Sequence, residues 1–185
     1  MERVDAALGT DREGTFAMGQ HLLDLGHREI VYVHGDSTLS GRAERLNGLR
    51  EAMAAYPDTV LHDLTWPADS SFSDAADILL KTARPTAWFC AHDRLALSVF
   101  SHLLARGIRI PQDASIVGYG DSAVVRELRP RLSTIRVFGT EQGRAALNLL
   151  DRRIKHPGEC PFPMRVAVPG KLVIRDSCGP VPERS

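Results

Sequence analysis

The sequence predicts an α/β protein in which a parallel sheet carries helices on both faces. Short runs rich in β-branched residues alternate with longer amphipathic stretches, the pattern of successive strand–helix units. Gly26, Pro57 and Gly107 follow amphipathic stretches at positions where helices are expected to end. A chain of 185 residues is also long enough to bury one hydrophobic core.

Hydrophobic spacing predicts each element in turn. Apolar residues at helical spacing after Asp11, a candidate N-cap, predict a helix over 12–25, and a buried strand is expected over 30–34. Inward positions from Leu46 to Tyr56 predict the next helix. The later elements are expected to be strands at 60–66, 86–91, 114–119, 132–136, 165–168 and 172–175, and helices at about 72–82, 95–104 and 139–154. Pro130 leaves room for only a short helix before the strand at 132–136.

The composition excludes several classes of protein. The 23 basic and 23 acidic residues cancel, which argues against binding of nucleic acid or anionic lipid by this chain alone. No apolar run approaches the roughly 20 residues that span a bilayer, and the first residues lack the apolar core of a signal peptide. Cys90, Cys160 and Cys178 form no C-x-x-C pair, so neither disulfides nor a metal site is expected. We therefore expect a cytoplasmic protein.

Ligands of open parallel sheets bind beyond the carboxyl ends of the strands, so the residues there are candidates for a binding site. These candidates are Arg45, Trp66, Phe72, His92, Asp93, Gly120 and Asp121. The planar guanidinium of Arg45 suits paired hydroxyls or a carboxylate, unless this arginine is simply solvated. Trp66 and Phe72 offer aromatic faces to a sugar ring or a base, or pack in the core.

Two motifs suggest enzyme chemistry but lack its context. Cys90, His92 and Asp93 do not form a triad, because neighbouring strand residues point to opposite faces; Asp93 is instead expected to cap a helix while His92 points into the crevice. Gly118-x-Gly120-x-x-Ala123 matches a dinucleotide-binding fingerprint, but Pro130 interrupts the helix that should follow. A nucleotide-dependent oxidoreductase is the alternative from the enzyme class.

Seven segments occur in a characteristic order between residues 10 and 177. They are Gly14 with 21–30 (HLLDLGHREI), 45–48 (RLNG), 85–96 (PTA through His92-Asp93 to LA), 110–119 (IPQDASIVGY), 130–135 (PRLSTI), 143–146 (GRAA) and 172–177 (LVIRDS). Together they resemble the effector-binding region of the LacI/GalR family of bacterial transcription regulators. The resemblance implies the fold of a periplasmic-binding-protein-like (type I) subdomain.

The resemblance also implies a function and a site. The effector of such regulators, a sugar, nucleoside or similar small molecule, lies between two subdomains, and the arginine at the position of Arg45 hydrogen-bonds it. His92 stands where the family usually has asparagine, and Gly120 where it usually has an acidic residue. No catalytic residue, cofactor or metal is implied, so we expect a sensing module that controls DNA binding allosterically; a stand-alone binding module without DNA binding is the alternative.

The resemblance divides the chain into parts of two subdomains. Residues 1–9 would be a remnant of the N-terminal subdomain, 10–136 the C-terminal subdomain, 137–168 elements that return to the N-terminal subdomain, 169–178 a final C-terminal strand and 179–185 a tail. Operator DNA would be bound only through a domain absent from this chain. The helix near 139–154 would then lack neighbours, and we expect it to pair with another copy or to be mobile. A homodimer is expected through Ser98, Ser101, His102, Ala105, Val125 and Arg129.

Overall fold

Eight strands and six helices make up the described part of the chain. The computed structural model describes residues 4–35, 40–66, 72–159 and 161–181, and for Ser40 and Phe72 it describes the backbone only. The strands are β1 (Ala6–Gly9), β2 (Glu29–Gly35), β3 (Val60–Trp66), β4 (Ala87–Cys90), β5 (Ser115–Gly120), β6 (Ser133–Arg136), β7 (Arg165–Val168) and β8 (Lys171–Val173). The helices are α1 (Asp11–Asp24), α2 (Ser40–Met53), α3 (Phe72–Thr82), α4 (Asp93–Leu104), α5 (Ala123–Arg126) and α6 (Gly139–Lys155).

The larger sheet has six strands in the order β3-β2-β4-β5-β6-β8. All neighbours are parallel except β8, which runs antiparallel to β6 at the edge of the sheet. The carboxyl ends of β2 to β6 therefore meet at one edge, which we call the rim, together with the residues that directly follow these strands. The predicted α/β class and parallel sheet are confirmed.

Helices cover both faces of this sheet. Thr134 of β6 donates its hydroxyl hydrogen bond to Asp93 of α4, whereas the next residue, Ile135, lies against Gly14 of α1. Successive residues of a strand point to opposite faces, so α1 and α4 lie on opposite sides of the sheet. On the first side α1 crosses α2 closely: a Cβ at Gly48 would collide with the Arg12 carbonyl and the Thr15 hydroxyl. Only glycine permits this approach.

The hydrophobic core lies between the sheet and these helices. Tyr32 of β2 and Trp88 and Phe89 of β4 have 0% exposure, and the Tyr32 and Phe89 rings meet edge to face at 5.9 Å between centroids. Every residue of β4 is buried, as expected for a strand covered on both faces. The core therefore fixes the central strands, whose carboxyl ends form the rim.

A second, two-stranded sheet pairs β1 with β7 in parallel, and α6 packs beside it. Arg153 of α6 donates two hydrogen bonds to Asp5, at 2.6 and 2.7 Å, and the Met164 amide donates to the same carboxylate. These bonds lower the pKa of Asp5 to about 2. The exposed side of α6 carries Leu147, Leu150 and Ile154, which are 66%, 56% and 69% exposed. The subdomain boundaries expected from the sequence stay a prediction.

Several elements differ from the sequence-based expectation. Strand β1 was not expected, because the segment Ala-Ala-Leu-Gly has no β-branched residue. Helix α2 begins at Ser40, six residues before the first periodic leucine, Leu46. Asp11 is not an N-cap: Thr10 occupies that position without a side-chain bond, and Asp11 is the first helical residue. Within the described ranges, every helix is too short or too polar to cross a bilayer.

Candidate functional site

Arg45 lies at the centre of the rim. It comes from α2, and its Nη1 donates a 2.7 Å hydrogen bond to the carbonyl of Ala91, the residue that directly follows β4. Its guanidinium carbon lies 3.8 Å from the centroid of the Tyr119 ring, a cation–π contact with β5. The side chain is 23% exposed. Arg45 therefore connects three elements of the rim and still reaches solvent.

The carboxylate of Asp11 completes this arrangement. Nε of Arg45 donates to Asp11 Oδ1 at 3.2 Å, and the Tyr119 hydroxyl donates to the same oxygen. Burial raises the pKa of Tyr119, and the neighbouring Asp11 raises it further, so the phenol keeps its proton at neutral pH. Sequence reasoning missed both Asp11 and Tyr119 as site residues, because their partners lie far away in the chain.

His92 follows Ala91 and is the N-cap of α4. Its Nδ1 accepts a 3.3 Å hydrogen bond from the Leu95 amide, so the expectation that Asp93 caps this helix is wrong. Partial desolvation of the imidazole ring and the nearby Arg45 lower the pKa of His92, which favours the neutral ring. Since Nδ1 accepts, the proton of that neutral ring lies on Nε2. His92 is exposed and can offer this N–H to a ligand.

Asp93 stabilises the rim through buried hydrogen bonds. It is 3% exposed, and its two oxygens accept hydrogen bonds from the Thr134 hydroxyl at 2.7 Å and the Ser122 amide at 2.6 Å. A Cβ at Gly118 would lie 2.6 Å from Asp93 Oδ1, and Gly120 has a φ of +131° beside the same carboxylate. Close packing around Asp93 thus accounts for both glycines of the dinucleotide-like motif. The helix that follows them, α5, has four residues.

Asp121 forms ion pairs with three arginines. Its side chain is 0% exposed and accepts hydrogen bonds from Arg175 at 2.7 Å and Arg136 at 2.6 Å, with Arg126 at 3.5 Å. Burial alone would raise the pKa of Asp121, but the bonds from Arg175 and Arg136 lower it below its usual value. Its oxygens are therefore engaged within the protein, although the sequence suggested them for a ligand.

The remaining candidates lie farther along the rim. Trp66 is half-buried at the carboxyl end of the edge strand β3, with β2 between it and β4. Phe72 begins α3, and its side chain lies outside the described part of the structure. The structure thus brings together Arg45, which contacts Ala91 and Tyr119, with the next residues of the chain, His92 and Gly120. Trp66 ends β3, which is two strands from β4 in the sheet.

The residues expected at a dimer interface are only partly on the surface. Ser101, Ala105 and Arg129 are exposed and Ser98 is half-buried. Val125 has 0% exposure and packs in the core, so its expected surface position is wrong. The His102 side chain is 8% exposed and lies 3.2 Å from Asp77 of α3. Its ring thus belongs mainly to the contact between α3 and α4.

Neither metal nor thiol chemistry has a visible basis in the described residues. These ranges contain no group of three or more His, Cys, Asp or Glu side chains arranged for a metal ion. Burial raises the pKa of Cys90 and raises that of Cys178 to about 11, so both thiols are protonated at neutral pH. Cys160 lies outside the described residues.

Comparisons with known proteins find relatives that match most of this chain. The family model of the periplasmic binding protein-like domain matches residues 20–178. The HTH-type transcriptional repressor PurR of Vibrio cholerae is 34% identical over 156 residues, which are 82% of this chain and 46% of the repressor. The ribose operon repressor of Haemophilus influenzae is 34% identical over 162 residues, 84% of this chain and 48% of that protein.

Solved structures are similar over most of the chain. A LacI family transcriptional regulator from Enterococcus faecium with bound ribose superposes with a TM-score of 0.85 and 28% identity, covering 96% of this chain and 66% of the regulator. The transcriptional regulator CelR in complex with cellobiose superposes with a TM-score of 0.81 and 30% identity. The match covers 95% of this chain and 54% of CelR. The chain thus spans about half the length of the curated relatives it matches.

Proposed function

Because the chain is a periplasmic binding protein-like domain and belongs to the LacI/GalR family, we propose that it senses a small-molecule effector for a bacterial transcription regulator. The effector is a sugar, nucleoside or related molecule held at the rim. Its binding shifts the population between open and closed forms of the regulator, and the closed form changes DNA binding through a domain outside this chain. The proposed role requires no catalytic residue and no cofactor.

The position of Arg45 is the observation that carries this proposal. Its guanidinium lies at the carboxyl edge of the parallel sheet, where such folds bind ligands, between Ala91 of the β4–α4 turn and the Tyr119 ring. His92, which directly follows Ala91 in the chain, is exposed, and its imidazole ring favours the neutral form. Together they provide donors for hydroxyl or carbonyl oxygens. Ribose and cellobiose in the related structures are ligands of this chemical kind.

A panel of sugars and nucleosides, including D-ribose and cellobiose, tests the proposal by NMR titration of the Arg45 and His92 side-chain signals. We expect one member at least to bind saturably with a Kd of about 1 mM, because the rim alone covers only one side of a ligand. If no member shifts these signals, the effector role is contradicted. A Kd of about 1 μM or lower would contradict the one-sided site.

The outer side of α4 is proposed as a homodimer contact. Exposed Ser101 and Ala105 lie on it, and Leu104 in the same helix is 49% exposed. Ser101→Glu with Ala105→Glu should lower the mass measured by light scattering from dimer to monomer, since buried unpaired carboxylates are costly. Ala55→Glu, at an exposed position after α2, is the control and should leave the dimer intact. A dimer unaffected by the double change would place the contact elsewhere.

A further inference from the structure

The charge of Arg45 is already balanced by a carboxylate of the same chain. Arg45 Nε lies 3.2 Å from Asp11 Oδ1, and the two side chains are only 23% and 19% exposed. A pair this sheltered is screened by salt less than a pair on the open surface. An anionic group that approached Arg45 would therefore meet the negative charge of Asp11 at close range.

The hydrogen-bond donors of Arg45 are also partly used. A guanidinium has five N–H groups, of which Nε donates to Asp11 and one of Nη1 donates to Ala91, so at most three remain for a ligand. Carboxylates and phosphates bind arginine best through two parallel donors on one edge. The edge formed by Nε and Nη2 has therefore lost one of its two parallel donors to Asp11. A hydroxyl oxygen of a ligand needs only one donor and can still accept a hydrogen bond from Arg45.

The position of Asp11 is fixed by contacts with two other elements, β5 and α2. The Tyr119 hydroxyl of β5 donates to Asp11 Oδ1, and the Tyr119 ring supports the Arg45 guanidinium. A Cβ at Gly41, in the first turn of α2, would lie 2.6 Å from Asp11 Oδ2, so α2 approaches this carboxylate closely. The charge pair is therefore part of the packed rim and does not depend on two flexible surface side chains.

We propose that Asp11 is a specificity-determining residue, which makes the rim at Arg45 select a neutral hydroxyl group of the ligand and reject a carboxylate or phosphate. The inference rests on the proposed function and narrows the effector class. The group that faces Arg45 belongs to a neutral polyhydroxylated molecule, such as a sugar or nucleoside. A sugar acid or sugar phosphate with its anionic group at Arg45 is excluded.

Titration of inorganic phosphate into the 185-residue chain tests the role of Asp11, with the Arg45 Nε–H signal as the readout at this one side chain. Asp11→Asn removes the charge with little change of shape. We expect phosphate to bind at Arg45 of this variant about tenfold more tightly than in the unaltered chain, because the unpaired guanidinium gains a charged acceptor. Asp11→Ser takes its place if Asp11→Asn does not fold.

Glu13→Gln is the matched control, since it removes one negative charge from the exposed first turn of the same helix. It should leave the phosphate response of Arg45 unchanged. Equal phosphate affinity in the unaltered chain and in Asp11→Asn, or no response in either, would overturn the inference. Titration with the sugar and nucleoside panel tests the proposed function separately. If no panel member binds the chain but Asp11→Asn gains phosphate binding at Arg45, only the effector role is contradicted.

Discussion

Replacement of Arg45 by alanine should remove detectable effector binding from the chain. The variant loses the guanidinium donors at the centre of the rim and leaves Asp11 without its cation. Losing the hydrogen bonds from this charged donor to the ligand costs about 1.5–3 kcal/mol, or roughly 10-fold to 150-fold in Kd. NMR titration with the best panel ligand, followed on the His92 ring, measures this loss.

Two other substitutions make this result specific. Arg50→Ala changes an arginine of the same helix whose side chain is 57% exposed and whose Nη2 lies 3.9 Å from Asp63, and it should bind the ligand normally. Arg45→Lys keeps the positive charge but loses the planar donor geometry, and it should retain only part of the affinity. Circular dichroism confirms that each variant is folded. Normal ligand affinity in folded Arg45→Ala would show that the effector binds elsewhere.

Asp121→Asn should cause the largest loss of stability. The Asp121 carboxylate is fully buried and balances Arg175, which is only 12% exposed, as well as Arg136 and Arg126. Asparagine tolerates the backbone φ of +57° at this position, so the change isolates the charge. Removing one partner of a buried ion pair costs about 3–5 kcal/mol, because the remaining charge stays buried. Urea unfolding measures this free energy.

Asp176→Asn provides the comparison for that measurement. Asp176 also pairs with an arginine, Arg131, at 2.8 Å, but the two side chains are 50% and 54% exposed. Exposed pairs of this kind contribute about 1 kcal/mol or less. A similar loss of stability in both variants would mean that burial does not distinguish the two carboxylates, and the structural role assigned to Asp121 would be lost.

Much of the fold could be predicted from local pattern. The bounds of β3 and α3 match the prediction, since hydrophobic spacing marks Val60–Trp66 and Phe72–Thr82 directly. The positive φ of Gly26 and of Gly107 confirms both as helix ends. The family, too, was identified from short segments in the correct order. Each of these signals is contained within a few neighbouring residues.

The candidate site was predicted less completely. Arg45 and His92 followed from their positions after strands and from the resemblance, and the structure places both at the rim. The same reasoning treated Asp11 and Asp93 as helix caps and Asp121 as a ligand contact. Their carboxylates instead bind partners from other elements.

The sequence by itself determined most of the strands and helices, though not β1, and hence which side chains come to the carboxyl edge of the larger sheet. Only the tertiary structure decided which of those side chains stay available to a ligand. Tyr119 and Asp11 are 108 residues apart, and Arg175 and Asp121 are 54 apart. Periodicity reports the neighbours of a residue along one helix or strand, whereas a buried charge takes whichever partner the packing of the sheet brings within hydrogen-bonding distance.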